Sequence, residues 1–332
     1  MSGPAARAVI FGCAGTRLSR EEAQLFACAQ PWGAILFARN IANPVQVTAL
    51  VASIRAATGR VLPVLIDQEG GRVQRMAPPH WRGWMPALDQ ADRASDPVRA
   101  MYLRGRLIAA ELQDVGIDVN CAPLADIARP ETHAILRNRC YGSDVASVVA
   151  RARAMSEGLR DGGVLPVLKH IPGHGRARLD SHLALPRVDA ARADLAMQDF
   201  APFRALADLP LGMSAHLVYA DIDPARPATI SARMIRLIRE EIGFGGLLMT
   251  DDISMQALEG PVSARAEAAL AAGCDLVLHC NGDLDEMRVL AEVCPPLSAA
   301  ASARDACATA SRHAAVPCDR GALWAEYEGL IA

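Results

Sequence analysis

Short apolar runs alternate along the chain with longer segments of helical periodicity. Runs of this length, bounded by turn residues, are typical of strands that are buried on both faces of a parallel sheet. They occupy residues 7–13, 33–38, 62–67, 117–122, 164–169, 211–216, 246–251 and 274–279. The pattern therefore predicts eight buried strands.

The segments between these runs repeat their apolar residues at helical spacing. They cover residues 20–29, 45–57, 97–114, 144–160, 188–207, 231–241, 261–272 and 283–293. Ser231 is suited to N-cap one of these helices and Gly243 to stop it. The Ala-rich tail from about residue 296, after Pro295, predicts one or two further helices that close the structure.

This alternation of strand and helix shows no break in composition. It predicts an α/β fold, a (β/α)₈ TIM barrel in a single domain over residues 1–332. Active residues of such barrels lie at the C-terminal ends of the strands. Polar side chains do cluster there: Asp67-Gln68-Glu69, Asp118 and Asn120, Lys169-His170, Ser214 and His216, Asp251-Asp252, and Asn281.

The composition of the chain limits the partners and the cellular compartment that we expect for the protein. Hydrophobic residues make up 52% and charged residues 21% of the chain, and the net charge near −3 gives no reason to expect nucleic acid or an anionic membrane as a partner. The nine cysteines are scattered without a CxxC pair, which favours reduced thiols in the cytoplasm. The N-terminal apolar run is about half a secretory core, so we expect no export.

The stretch VLPVLKHIPGHGRARLDSH, residues 164–182, carries unusual chemistry. Three of the eight histidines, His170, His174 and His182, fall within it, and Lys169 is the only lysine of the chain. Because lysine and arginine differ in shape and hydration, an ammonium kept at this one position indicates a chemical requirement. The stretch is predicted to be a functional site.

Metal binding is one alternative for this stretch. Histidine and aspartate ligate zinc or manganese, and His170, His174, Asp180 and His182 are available. However, no HExxH-type spacing is present, and Lys169 would repel a cation. We therefore expect no metal and no cofactor.

Seven collinear segments resemble the bacterial N-acetyl-β-glucosaminidases of glycoside hydrolase family 3, the NagZ type. They are IDQEGGRVQR (66–75), GIDVNCAPLADI (116–127), KHIPGHG (169–175), DSH (180–182), MSAHLVY (213–219), PATIS (227–231) and GFGGLLMTDDISM (243–255). The resemblance implies a retaining exo-β-N-acetylglucosaminidase that removes terminal β-linked N-acetylglucosamine. It also implies a cytoplasmic role in peptidoglycan recycling, on 1,6-anhydro-muropeptides.

The catalytic residues follow from this resemblance. From the residues alone, Asp251 or Asp252 is as well explained by a helix N-cap or a structural hydrogen bond as by chemistry. The resemblance makes Asp251 the nucleophile and leaves Asp252 a structural role. It makes His182 the acid/base and Asp180 the residue that orients its imidazole.

Substrate-binding residues are assigned in the same way. They are Asp67, Arg75, Arg139, Lys169 and His170, with Arg137 as the competitor of Arg139 because that block is degraded. Glu69 is expected to form a structural ion pair with Arg72. The basic loop residues Arg176 and Arg178 are hypothesised to meet the carboxylate or peptide of the leaving group.

Two other functions compete with hydrolysis. One is a phosphorylase, because a neutral histidine does not repel an incoming phosphate dianion. The other is a catalytically silent sugar-binding barrel. In each case the partner is a small amino-sugar glycoside or muropeptide, and we expect a monomer that binds neither nucleic acid nor membrane.

Overall fold

The protein folds as a closed barrel of eight parallel strands with helices outside it. The structure is a computed structural model and describes residues 5–177, 179 and 185–332. The barrel strands, in chain order, are Arg7–Gly12, Pro31–Leu36, Val64–Ile66, Val119–Asn120, Leu165–Ile171, Leu211–Ser214, Leu247–Asp252 and Leu276–His279. Each strand pairs with its neighbours in sequence, and the eighth pairs with the first. The predicted (β/α)₈ fold is confirmed.

Helices connect successive strands on the outside of the barrel. The α-helices are Arg20–Ala29, Pro44–Thr58, Ala87–Arg93, Pro97–Asp114, Ala134–Arg137, Val145–Asp161, Arg192–Asp194, Ala201–Ala205, Ala232–Glu240, Val262–Ala272, Leu284–Val293, Ala299–Ala310 and Arg320–Ile331. Ser231 caps its helix as predicted, accepting the backbone N–H of Met234 at 3.1 Å. Seven of the eight predicted helices are found as continuous helices whose ends fall within one residue of the predicted ends.

The predicted helix over 188–207 is wrong as a continuous element. The chain instead forms the short strand Arg187–Val188, a helical turn at Arg192–Asp194, a π-helix at Leu195–Asp199 and the helix Ala201–Ala205. Pro202 has no amide hydrogen and its ring clashes with the carbonyl of residue 198, so one α-helix cannot run through this segment. The break places Asp199 in a buried position behind the loop that follows the fifth strand.

Two glycines allow the helices Pro97–Asp114 and Val145–Asp161 to cross closely. A Cβ on Gly105 would collide with the carbonyl oxygen of Met155, and one on Gly158 with that of Tyr102. Only glycine fits at this crossing, because any larger side chain would force the backbones apart. Of the two, the helix Val145–Asp161 packs against the fifth strand.

The C-terminal tail covers the N-terminal end of the barrel. Ala301 and Ala308 of the helix Ala299–Ala310 pack onto the cluster of side chains inside the barrel. Trp32 donates its indole N–H to Asp305 in the same helix at 2.7 Å. The last helix, Arg320–Ile331, packs on Pro97–Asp114 and buries Tyr327.

Two small sheets decorate the barrel. Gln68–Gly70 and Val73–Gln74 form an antiparallel hairpin after the third strand, and Arg187–Val188 pairs in parallel with Val218–Tyr219. Within the part of the chain that the structure describes, no helix is long and apolar enough to cross a membrane.

Candidate active site

A cavity of about 320 Å³ opens at the C-terminal end of the barrel. Six of the predicted site residues are described by the structure, and all six line this cavity: Asp67, Arg75, Arg139, Lys169, His170 and Asp251. The remaining two, Asp180 and His182, lie outside the described residues. The barrel thus brings together side chains that are more than 180 positions apart in the sequence.

Three strand ends and a hairpin place five of these six side chains. Asp67 follows the third strand, and Arg75 follows the hairpin after it. Lys169 and His170 lie near the end of the fifth strand, and Asp251 near the end of the seventh. Parallel strands of a barrel end at one face, so side chains at their C-terminal ends converge there.

Opposite charges alternate along one wall of the cavity. Lys169 Nζ lies 2.8 Å from Asp67 Oδ1 and 2.6 Å from Glu69 Oε1, and Arg139 forms a forked pair with Glu69 at 2.7 and 2.8 Å. Arg75 approaches Asp67 at 3.3 Å. These five side chains form the charged network, in which three cations surround two carboxylates.

The network fixes the charge of its members. Burial alone would raise the pKa of Asp67, but the charges of Lys169 and Arg75 outweigh it and hold that pKa well below its usual value. Burial alone would lower the pKa of Lys169, but Asp67 and Glu69 outweigh it and raise that pKa. Asp67 is therefore a carboxylate acceptor and Lys169 an ammonium donor at any ordinary pH.

Glu69 is a residue of this network that the sequence reasoning misassigned. The expected Glu69–Arg72 pair is wrong, since Glu69 is buried and bonds Arg139 and Lys169 while Arg72 is exposed. The available signal was periodicity: Asp67 and Glu69 are two apart in an extended segment, and such residues share one face. Both therefore reach the same lysine.

Asp126 is the second residue that the sequence reasoning missed. It lies in the loop after the fourth strand, is 1% exposed, and contacts His170 Nδ1 at 2.7 Å through Oδ2. Its Oδ1 accepts the backbone N–H of His174 at 2.6 Å. Burial, with His170 beside it, lowers the pKa of His174 to about 4, so that this ring is neutral at pH 7.

The two adjacent aspartates at the end of the seventh strand differ in their contacts. Asp252 accepts hydrogen bonds from the backbone and hydroxyl of Ser254, at 3.1 and 2.8 Å, and from the backbone N–H of Cys280 at 3.1 Å. These bonds pin the turn that follows the strand. Asp251 accepts the backbone N–H of Asp252 at 2.8 Å through Oδ1 and lines the cavity.

His216 supports this strand end from behind. Its Nε2 lies 3.0 Å from the carbonyl oxygen of Asp252 and its Nδ1 lies 2.8 Å from the hydroxyl of Thr229. Burial lowers the pKa of His216, which keeps the ring neutral. The contacts make it a support of the Asp251-Asp252 backbone.

Two of the sequence-based positions lie elsewhere than expected. Asp118 lies at the opposite end of the barrel, where it accepts the backbone N–H of Val64 and pairs with Arg55. Asn120 is buried and exchanges two hydrogen bonds with the backbone of Gln68, both at 3.0 Å. Neither side chain lines the cavity.

Of the two competing arginines, Arg139 lines the cavity and Arg137 is exposed outside it. Arg176 is held by Asp199, with Nε and Oδ2 2.7 Å apart. Its expected partner in the basic loop, Arg178, lies outside the described residues. Among residues 5–177, 179 and 185–332, no group of three or more His, Cys, Asp or Glu side chains is arranged to hold a metal ion.

Comparison with known proteins gives the family. The model of the glycosyl hydrolase family 3 N-terminal domain matches residues 8–309. The chain belongs to glycosyl hydrolase family 3. The predicted resemblance is thereby confirmed, and the protein is a glycoside hydrolase.

Relatives within family 3 match most of the chain. A beta-hexosaminidase of Alkalilimnicola ehrlichii is 42% identical over 281 residues, which cover 82% of this chain and 80% of the relative. One of Pseudomonas aeruginosa is 38% identical and covers 80% of each. The solved structure of NagZ from Neisseria gonorrhoeae in complex with N-trifluoroacetyl-D-glucosamine has a TM-score of 0.88 and 32% identity over the full length of both chains.

The family 3 barrel also contains a wall that the sequence reasoning missed. Arg39 donates to the carbonyl oxygens of Cys13 and Cys280, and so joins the ends of the first and eighth strands. The guanidinium groups of Arg39 and Arg75 lie 5.1 and 5.2 Å from the centre of the Phe37 ring. Phe37 thereby supports Arg75, which also contacts Asp67.

Proposed function

We propose that this family 3 enzyme is a retaining exo-β-N-acetylglucosaminidase. The observation that carries the proposal is that Asp251 lines one cavity together with four members of the charged network, Asp67, Arg75, Arg139 and Lys169. A carboxylate beside a set of fixed donors and acceptors is what cleavage of a glycosidic bond requires. Relatives named beta-hexosaminidase, and a similar barrel that binds an N-acylated glucosamine, support the choice of sugar.

The size of the cavity supports an exo mode of action. About 320 Å³ lies at the small end of ligand pockets, which suits one terminal sugar better than an internal chain segment. Asp67 would accept hydrogen bonds from sugar hydroxyls. Lys169, which bonds Asp67 and Glu69, would donate its third N–H to another hydroxyl.

The proposed reaction is a double displacement. Asp251 attacks the anomeric carbon while an acid protonates the departing oxygen, and water then releases the sugar from the glycosyl-enzyme. We assign the acid/base to His182, oriented by Asp180. Both assignments rest on the resemblance of the DSH segment.

The wider role is proposed on the same basis. The substrate would be the terminal N-acetylglucosamine of 1,6-anhydro-muropeptides, in cytoplasmic recycling of the cell wall. We propose further that residues 1–332 form one domain that acts as a monomer. Because Arg176 is bound to Asp199, contact with an anionic leaving group would fall mainly to Arg178.

A substrate comparison tests the proposal. Hydrolysis of an aryl N-acetyl-β-glucosaminide is measured beside the matching β-glucoside, with and without phosphate, for the wild type and for Asp251→Ala. We expect fast, phosphate-independent cleavage of the N-acetyl substrate that is abolished in the variant. Preference for the glucoside would contradict the sugar assignment, and formation of sugar 1-phosphate would identify a phosphorylase. No turnover of either would favour a sugar-binding barrel.

A further inference from the structure

A buried carboxylate behind the cavity wall holds one of the residues that face the substrate. Asp126 uses both of its oxygens: Oδ2 contacts Nδ1 and the backbone N–H of His170, at 2.7 and 3.3 Å, and Oδ1 accepts the backbone N–H of His174 at 2.6 Å. His170 lines the cavity and Asp126 does not. Asp126 therefore reaches the substrate only through His170.

The chemistry of this pair determines which nitrogen of His170 carries hydrogen. An ionised carboxylate only accepts hydrogen bonds, so the Nδ1 atom that it contacts must be the protonated one. Burial alone would raise the pKa of Asp126, but His170 and the backbone N–H of His174 outweigh it and lower that pKa. Asp126 is therefore ionised, and Nε2 is the ring nitrogen left to the cavity.

The backbone around the pair is fixed as well. Ala125 donates its backbone N–H to the carbonyl oxygen of Lys169 at 2.8 Å, which ties the loop of Asp126 to the fifth strand. On the other side of Asp126, the backbone at Ile127 lies so close to Gly175 that a Cβ there would collide with it. The carboxylate and the imidazole are thus held on two segments that are hydrogen-bonded and closely packed against each other.

We propose that Asp126 is a positioning residue that fixes the tautomer and the direction of His170, so that Nε2 of His170 meets the substrate in one defined role. The effect of Asp126 on kinetics rests on the proposed function, whereas the tautomer of His170 does not. An imidazole whose tautomer and orientation are set by a buried carboxylate needs no reorganisation when the substrate binds.

The alternative is that Asp126 only holds the backbone of the loop, through the N–H of His174. Asp126→Asn separates the two roles. An amide has one oxygen, so its NH₂ group faces either the N–H of His174 or the Nδ1–H of His170. When the NH₂ group faces Nδ1–H of His170, two donors point at each other. This repulsion is relieved when His170 carries its hydrogen on Nε2 instead, which is the tautomer that the wild type excludes.

The first measurement is nitrogen NMR of the histidine rings, with the signal of His170 assigned by its loss in His170→Gln. In the wild type we expect a protonated Nδ1 at pH 8, and in Asp126→Asn a shift of the hydrogen to Nε2. An unprotonated Nδ1 in the wild type would overturn the proposal without any Asp126 variant, even if that variant did not fold.

The second measurement is a double-mutant cycle on kcat/KM for an aryl N-acetyl-β-glucosaminide. We expect Asp126→Asn to lower kcat/KM about 10- to 100-fold in the wild type, and less than about threefold when His170 is already Gln. An equal loss in both backgrounds would make Asp126 a merely structural residue and overturn the proposal.

A matched control is Asp118→Asn. Asp118 is also buried, also accepts a backbone N–H, and pairs with Arg55 and Arg312, but at the opposite end of the barrel. We expect it to lower stability without moving the His170 signal or kcat/KM. If the wild type does not cleave the substrate, the proposed function fails, and the tautomer measurement still decides the role of Asp126.

Discussion

Glu69→Gln tests whether the charged network at the cavity determines both stability and substrate binding. Glu69 is 3% exposed and bonds two cations, Arg139 at 2.7 Å and Lys169 at 2.6 Å. The substitution keeps the shape and removes the charge. Asp67 is then the carboxylate that remains to balance Lys169, Arg139 and Arg75.

The size of the effect follows from burial. Removing one partner of a buried ion pair costs about 3–5 kcal/mol, because the other charge is left without compensation. Here the amide oxygen still accepts one hydrogen bond and Asp67 remains, so we expect a loss of about 3 kcal/mol in the free energy of unfolding. With an unfolding entropy of about 2.1 cal/mol/K per residue, this corresponds to a decrease in Tm of about 4 °C.

The effect on activity has a separate cause. In Glu69→Gln the single amide oxygen can serve only one of Arg139 and Lys169, so the other loses the acceptor that orients it, and the pKa of Lys169 falls because a neighbouring negative charge is gone. We expect kcat/KM for an aryl N-acetyl-β-glucosaminide to fall about 10- to 100-fold, mainly through KM. Chemical denaturation and steady-state kinetics measure the two quantities.

Glu111→Gln is the control for this prediction. Glu111 is also a buried glutamate paired with an arginine, Arg82 at 2.7 Å, and does not line the cavity. It should lower stability without changing KM. A loss of less than about 1 kcal/mol with unchanged kinetics in Glu69→Gln would contradict this expectation, and so would an equal change of KM in the Glu111 variant.

Two further predictions concern neighbouring residues. Arg139→Met should lower kcat/KM at least about tenfold, and Arg137→Met less than about twofold, in the same assay. The reverse order would assign the substrate contact to Arg137. Burial lowers the pKa of His174 from 6.5 to about 4. Between pH 6.5 and pH 4 the unfolded chain therefore binds more protons than the folded protein, so stability falls as the pH is lowered through that range. At pH 5 the contribution of His174 to this loss of stability is about 2 kcal/mol. Urea denaturation at pH 7.5 and pH 5 should therefore show a smaller loss for His174→Gln than for the wild type. An equal loss would mean that His174 is not the group responsible.

The sequence predicts the elements of this protein well because its strands are buried on both faces. Continuous apolar runs separated by amphipathic segments leave few alternatives to a barrel. The prediction failed at 188–207, where one proline interrupts a segment whose composition is otherwise helical. Asp118 was placed at the wrong end of the barrel because it immediately precedes a strand of only two residues.

The sequence allowed single residues of the candidate site to be predicted, but not the pairs in which they contact each other. Asp67, Lys169 and Asp251 could be found since polar residues at buried strand ends need a reason to be there. Glu69 was assigned to Arg72 because local partners are the simplest choice in a sequence, whereas its actual partners lie 70 and 100 positions away. Asp126 gave no local signal at all, because its role depends on a histidine 44 positions further along.

Azide rescue of Asp251→Gly tests whether Asp251 is the catalytic nucleophile. The variant is assayed with an aryl N-acetyl-β-glucosaminide that has a good leaving group, with and without azide, and the product is examined by NMR. We predict a loss of turnover of at least about a thousandfold, partial recovery with azide, and an α-configured glycosyl azide. Hydrolysis that continues at the wild-type rate without azide would show that Asp251 is not the nucleophile.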